Sequence, residues 1–196
     1  MKKLTFITFF LMIVAAANAQ EFKPFKVDLS TGYAIPSGEG AKGGVLMVVE
    51  PKYAVIPNLS VGVRFEIAVM ARGYVNSQGT NGEIDLKASG SYLATTDYYY
   101  PLPSKKIRPF SGAGTGIFSL ASATADNNNA GVSAAKSKFG GMARSGVEIG
   151  HFRLAFEYNF VGDTDVMDAS NTKIGTSKNS YMSIKIGATI GGGRIK

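Results

Sequence analysis

From Gln20 onward the chain alternates apolar and polar side chains with a period of two, as strands do when one face meets an apolar environment and the other does not. The clearest run is 152–160, where Phe152, Leu154, Phe156, Tyr158 and Phe160 share one face and Arg153, Ala155, Glu157 and Asn159 the other. A helix would scatter these residues around its circumference. The same reading holds for 25–35, where Phe25, Val27, Leu29, Thr31, Tyr33 and Ile35 oppose Lys26, Asp28, Ser30, Gly32 and Ala34. In 59–70, Leu59, Val61, Val63, Phe65, Ile67 and Val69 oppose Ser60, Gly62, Arg64, Glu66, Ala68 and Met70. In 181–190, Met182, Ile184, Ile186, Ala188 and Ile190 oppose Tyr181, Ser183, Lys185, Gly187 and Thr189. Four further strands, 44–54, 84–99, 108–121 and 138–149, follow from weaker alternation. Leu46 and Val48 blur the faces of the first, and glycines at 112, 114 and 116 thin the apolar signal of the third.

The connections between these segments fall into two kinds. Segments 37–43, 71–83, 123–137 and 162–177 are polar and rich in Gly, Asn, Ser and Asp, whereas 55–58, 101–107 and 150–151 are shorter and carry Pro or Gly. Long and short alternate along the chain. That rhythm is expected of an all-β, eight-stranded antiparallel up-and-down transmembrane β-barrel with long extracellular loops, short periplasmic turns and both termini in the periplasm. After residue 19 no apolar stretch approaches the ~18–20 residues of a spanning helix, so only closed strands could cross a bilayer.

The polar face decides between a membrane barrel and a soluble carrier barrel, which would turn its apolar face inward. That face carries Lys26, Lys52, Arg64, Lys87, Arg144, Arg153 and Lys185 against Asp28, Glu50, Glu66, Asp85, Asp97, Glu148 and Glu157. The two signs balance, as they must in a closed lumen where a buried charge needs a partner. The rest of that face is mostly Gly, Ala, Ser and Thr, which suit the crowded interior of a narrow barrel. A structural lumen network is therefore expected from Lys26, Asp28, Arg64, Glu66, Asp85, Lys87, Arg144, Glu148, Arg153, Glu157 and Lys185. On the apolar face, aromatics gather towards strand ends as membrane girdles do: Phe25, Tyr53, Tyr98, Phe110 and Phe152 at the periplasmic rim, and Tyr33, Phe118, Phe139 and Phe160 at the outer rim.

Composition adds an export history and removes several functions. Lys2 and Lys3, the apolar run Leu4 to Val14 and the triplet Ala17-Asn18-Ala19 read as a signal peptide, residues 1–19, cleaved after Ala19. Residue 20 is Gln and not Cys, so no lipid anchor is expected there. The remaining 20–196 form one barrel domain. With no Cys there is neither a disulfide framework nor a Cys-based metal site. The formal charge is +7, of which Lys2 and Lys3 hold part, and no basic cluster exceeds two adjacent residues, so nucleic acid is not an expected partner.

Several stretches resemble the small outer-membrane β-barrel proteins of the OmpX/OmpW-like type, in the form common among Bacteroidetes. They are FKVDLSTGYAIP at 25–36, YAVIPNLSVGVRFE at 53–66, SYLATTDYYY at 91–100, RPFSGAGTGIF at 108–118 and VEIGHFRLAFEYNF at 147–160, and together they span essentially the whole mature chain. The resemblance implies an eight-stranded barrel inserted by the barrel-assembly machinery into the bacterial outer membrane, in contact with outer-membrane lipids and lipopolysaccharide. Members often end on an aromatic residue, whereas this chain runs on as Ile190-Gly-Gly-Gly-Arg-Ile-Lys196.

Some barrels of this size modify lipid, which would need a His to activate a Ser. The single His, His151, falls in a predicted periplasmic turn, away from the outer leaflet. Glu66, Glu148 and Glu157 lie two to four residues from Arg64, Arg144 or Arg153, and a paired, ionised carboxylate is a poor general acid. The acidic loop 162–168 lacks the spacing of a calcium loop, and no helix follows the Gly-x-Gly-x-Gly run at 112–116 to make it a phosphate cradle. No catalytic, metal or cofactor site is expected. The expected function is a structural or interaction barrel with a closed charged lumen and exposed loops for protein or cell-surface contacts. A second is a narrow channel for small hydrophobic molecules, lined in part by Leu46, Val48, Met70 and Leu93; a third is a lipid-modifying enzyme.

Overall fold

A computed structural model describes residues 23–37, 41–75, 81–103, 106–126, 129–167 and 173–192, with side chains at 41, 71–87, 121–136 and 165–177 outside that description. The segment 1–19, expected from sequence to be a signal peptide, lies outside the described residues. The chain forms β1 (Phe25–Pro36), β2 (Ala41–Ile56), β3 (Leu59–Val75), β4 (Asn81–Tyr99), β5 (Ile107–Asp126), β6 (Asn129–Ile149), β7 (Phe152–Val161), β8 (Thr164–Met167), β9 (Lys173–Ser177) and β10 (Tyr181–Gly191). Eight of them close into a barrel in the order β1-β10-β7-β6-β5-β4-β3-β2, and β8 and β9 form a separate hairpin. Every barrel pairing is antiparallel. The first and last strands close the cylinder, from Lys26 opposite Gly191 to Pro36 opposite Tyr181. Closure leaves no open sheet edge around the common belt, which is the condition for strands in an apolar medium.

Side-chain parity follows the sequence pattern. Outward apolar residues are broadly exposed, for example Phe139 at 75%, Met47 at 71% and Ile67 at 67%, while the inward charges are 0–7% exposed. In β2 the parity unclear from sequence resolves with Leu46, Val48, Glu50 and Lys52 inward and Val45, Met47 and Val49 outward. Two aromatics depart from the expected girdle. Phe110 and Phe118 are buried inside the barrel, at 1% and 0% exposure. They share β5 parity with Gly112, Gly114 and Gly116, and their rings fill the space left by two glycines of the adjoining β6: a Cβ on Gly146 would fall 2.8 Å from the Phe110 ring and one on Gly140 2.8 Å from the Phe118 ring.

The predicted loops also shorten. β3 and β4 stay paired to Val75 opposite Asn81, and β5 and β6 to Asp126 opposite Asn129. Much of 71–83 and 123–137 is therefore ladder, and 162–177 contains the β8–β9 hairpin. Gly, Ser and Asn carry no strand signal of their own, but a neighbouring strand already in place offers their backbone groups partners. The barrel is consequently uneven in height: β3 to β6 run 17, 19, 20 and 21 residues, whereas β1, β7 and β10 run 12, 10 and 11. β6 leaves β7 at Gly140 opposite Val161 yet continues along β5 to Asn129.

The opposite rim is compact. Gly150, at φ +61°, supplies the left-handed residue of the two-residue β6–β7 turn with His151. Backbone bonds tie the rim together: Ala54 N to Pro24 O at 2.7 Å, Tyr99 N to Asn58 O at 2.8 Å, Gly150 N to Lys106 O at 2.9 Å and Thr189 N to His151 O at 2.7 Å.

Candidate functional site: the filled lumen

Alternation delivers one charged or small residue to the lumen every second position, and closure brings residues far apart in sequence face to face. Nearest the short-turn rim, four cations (Lys26, Lys52, Arg144, Arg153) meet four carboxylates (Asp28, Glu50, Asp97, Glu148). Arg144 grips Glu50 with two bonds, of 2.7 and 2.6 Å, and its Nε donates to Asp97 at 2.7 Å. This bidentate fork uses the planar geometry that only Arg offers. Lys52 Nζ lies 2.5 Å from Asp28 and 2.6 Å from Asp97. Arg153 reaches Asp97 and Glu148, both at 3.0 Å, and its guanidinium stacks 3.7 Å from the Phe110 ring centroid.

Neutral groups complete this cluster. Thr95 donates to Glu50 at 2.5 Å, Thr189 to Asp28 at 2.6 Å, and the Tyr99 hydroxyl accepts from Lys26 at 2.6 Å and from Arg153 at 3.0 Å. A second, smaller cluster sits higher. Arg64 bridges Glu66 and Glu157, Lys185 contacts the same two carboxylates, and Tyr181 donates to Glu66. Asn159 accepts from Arg64 at 3.4 Å. Each cluster is neutral by itself, as low-dielectric burial demands. Towards the long-loop end the lumen turns apolar, with Leu46, Val48, Ala68, Met70, Leu93, Phe118, Met142 and Val161 packed together.

Two of these contacts span the full diameter. In the closed order β2 stands opposite β6, and β3 opposite β7, so Arg144–Glu50 and Arg64–Glu157 link opposite walls directly. A direct bond between opposite walls leaves no open axis at that level. The inward glycines make room for this crossing. A Cβ on Gly112 would collide with the Asp97 carboxylate and the Thr96 carbonyl.

With the geometry in view, comparison with known proteins becomes informative about the scaffold. No protein-family model matches the chain, and neither does any curated protein. Among solved structures, Neisserial surface protein A superposes with a TM-score of 0.58 at 15% identity, covering 88% of this chain and 99% of that one. The outer membrane protein OprG from Pseudomonas aeruginosa gives 0.53 at 10% identity, covering 86% and 96%. The fold is that of the small outer-membrane β-barrels.

The structure places Lys26, Asp28, Arg64, Glu66, Arg144, Glu148, Arg153, Glu157 and Lys185 inside the barrel, together with Glu50, Lys52 and Asp97. The side chains of Asp85 and Lys87 lie outside the described residues. Two pairings differ from sequence proximity. Glu157 takes Arg64 and Lys185 and not nearby Arg153. Arg144 binds Glu50 across the lumen and Asp97 two strands along its own wall, while nearby Glu148 takes Lys26 and Arg153 instead. Sequence reasoning placed Asn159, Tyr181 and Thr189 on the inner face without assigning them partners, and missed Thr95 and Tyr99. Parity alone would have found Tyr99, because it is two residues from inward Asp97, whereas Tyr98 and Tyr100 pair edge-on outside at 5.4 Å. His151 is exposed in its turn, with Nδ1 2.8 Å from Thr189 O. Among the described residues no group of His, Cys, Asp or Glu is arranged to hold a metal ion.

Proposed function

We propose that this protein is an integral barrel of a bacterial outer membrane, closed to solute flow, which serves as a rigid platform for contacts on its outer side. The observation that carries the reading is the pair of salt bridges across the diameter, Arg144–Glu50 and Arg64–Glu157, at two levels of the lumen. The broad outward exposure of Ile67, Met47, Val63, Phe156 and Ile186 supports a lipid-facing belt, since water would not favour so continuous an apolar surface. The inward carboxylates act as counter-ions and carry no catalytic step. Above the belt, β3 to β6 rise as a wall, and the first stretch of β6, 129–139, is paired on one side only; this edge and the outer connections meet lipopolysaccharide and partner proteins.

Planar bilayers test the closed state. Purified protein should produce no single-channel steps; reproducible steps would sink the reading. Fractionation tests the location: the protein should partition with detergent-extracted outer membrane and migrate anomalously on a gel until heated, and recovery in the soluble periplasm would overturn it.

A second reading has one observation in its favour. Leu46, Val48, Met70 and Leu93 all face inward and form an apolar upper lumen, as a passage for small hydrophobic molecules would need. Uptake of a hydrophobic solute into liposomes, abolished by Leu93→Lys, would establish it over the closed platform.

A further inference from the structure

The chain's positive charge is unevenly distributed. Inside the barrel the charges cancel within each cluster, and the outer connections mix signs, with Glu39 beside Lys42 in the first and Asp163, Asp165 and Asp168 with Lys173 in the last. The short connections 57–58, 100–106 and 150–151 contain no acidic residue at all. On that side stand Lys23, Lys106 and Arg108. Apart from Lys2 and Lys3 in the segment expected to be cleaved, the excess of positive charge therefore lies largely on the short-turn side, where Glu21 is the acidic residue nearest Lys23.

Their setting is interfacial. Lys23 and Lys106 are exposed, and each lies within two residues of an outward apolar side chain that begins a strand, Phe25 and Ile107. The Lys106 carbonyl accepts a bond of 2.9 Å from Gly150, and that of Pro24, the residue after Lys23, one of 2.7 Å from Ala54. Arg108 donates to Pro57 O at 2.9 Å and stacks 4.3 Å from the Tyr99 ring centroid, which holds its guanidinium at the rim. Exposed Tyr98, Tyr100 and Leu102 complete an aromatic and aliphatic border beside these cations. A soluble acidic partner needs no such border. Cations joined to the edge of an apolar belt sit at headgroup depth.

We infer that the short-turn rim is a cationic collar that selectively binds anionic phospholipid headgroups of the inner leaflet, through Lys23, Lys106 and Arg108. The inference rests on the membrane reading above. In that orientation the collar faces the periplasmic leaflet, and it would anchor the depth and tilt of a barrel whose walls differ in height. A lysine close to an anionic bilayer surface strengthens association about fivefold, and the attraction falls off within a Debye length.

The test is lipid selectivity of the refolded mature chain in phosphatidylcholine vesicles, read by electron spin resonance with spin-labelled phosphatidylglycerol or phosphatidylcholine. A motionally restricted lipid component, together with the heat-dependent gel shift, establishes the membrane barrel independently of headgroup. Absence of both refutes the membrane reading itself. Given the barrel, phosphatidylglycerol should be preferred about threefold over phosphatidylcholine, less than the full effect of one lysine because only one rim is biased. The preference should approach unity in Lys23→Gln/Lys106→Gln and in ~1 M salt, where the Debye length is ~3 Å. It should persist in Lys42→Gln at the other rim. Equal binding of both lipids by the folded wild type, or selectivity lost with Lys42→Gln and retained in the double variant, would overturn the proposal.

Discussion

Replacing Arg144 by Met keeps most of the side chain's length and removes its charge from the centre of the lower cluster. Three charge-assisted bonds disappear, two to Glu50 and one to Asp97. The two carboxylates are left in different positions. Asp97 keeps Lys52 at 2.6 Å and Arg153 at 3.0 Å, but Glu50 keeps only the Thr95 hydroxyl at 2.5 Å and Lys52 at 3.6 Å. Most of the cost thus falls on Glu50, a carboxylate 2% exposed. Removing one member of a buried pair typically costs about 3–5 kcal/mol, and the surviving Lys52 and Thr95 contacts place Arg144→Met near the lower end, ~3 kcal/mol. Neutralising the stranded carboxylate as well, in Arg144→Met/Glu50→Gln, should restore roughly 1–2 kcal/mol, a coupling that the double-mutant cycle isolates. The chain has no Trp, so urea unfolding in lipid vesicles must be followed by far-ultraviolet circular dichroism and by the gel-mobility shift. Destabilisation under ~1 kcal/mol, or a double variant whose loss equals the sum of the singles, would refute the argument that this pair bridges the barrel.

Other expectations follow from the same geometry. Val63→Lys, on the outward face well inside the belt, should destabilise the vesicle-inserted protein by about 2–4 kcal/mol, and Val55→Lys, beside the rim, by about 0–1. Equal, negligible effects in a urea titration would contradict the lipid-facing assignment. Gly112→Ala should cost about 1–3 kcal/mol because its methyl meets Asp97 and the Thr96 carbonyl, while Gly90→Ala, with nothing within 4 Å, should fall within about 0.5 kcal/mol of wild type. The folded fraction on an unheated gel reports both. If Gly112→Ala folds as well as Gly90→Ala, the lumen at that level is looser than the salt bridges require.

Much of the barrel was readable because parity is local. A residue's face is shared with its neighbours two positions away, so Phe152 to Phe160 or Leu59 to Met70 declare their faces without knowledge of the rest of the chain. Where that signal is diluted, reading fails in a definite way. Phe110 and Phe118 resembled girdle residues because three glycines between them carry no polarity to show which face they share. The ends of β3 to β6 resembled loops because their composition is that of loops, and only the adjoining strand makes them ladder.

The alternation, the number and order of the barrel strands and the charge balance of the inner face are written in the chain itself. Which charge meets which was decided by tertiary structure alone. Arg144 and Glu50 are 94 residues apart, Arg64 and Glu157 93, and Lys185 and Glu66 119, so no local spacing announces them. Their pairing depends on strand count and stagger, which fix the barrel's diameter and the walls that stand opposite each other. The bridging of opposite walls is therefore a property of the assembled cylinder, because side chains of fixed reach can meet only at a diameter that no single strand specifies.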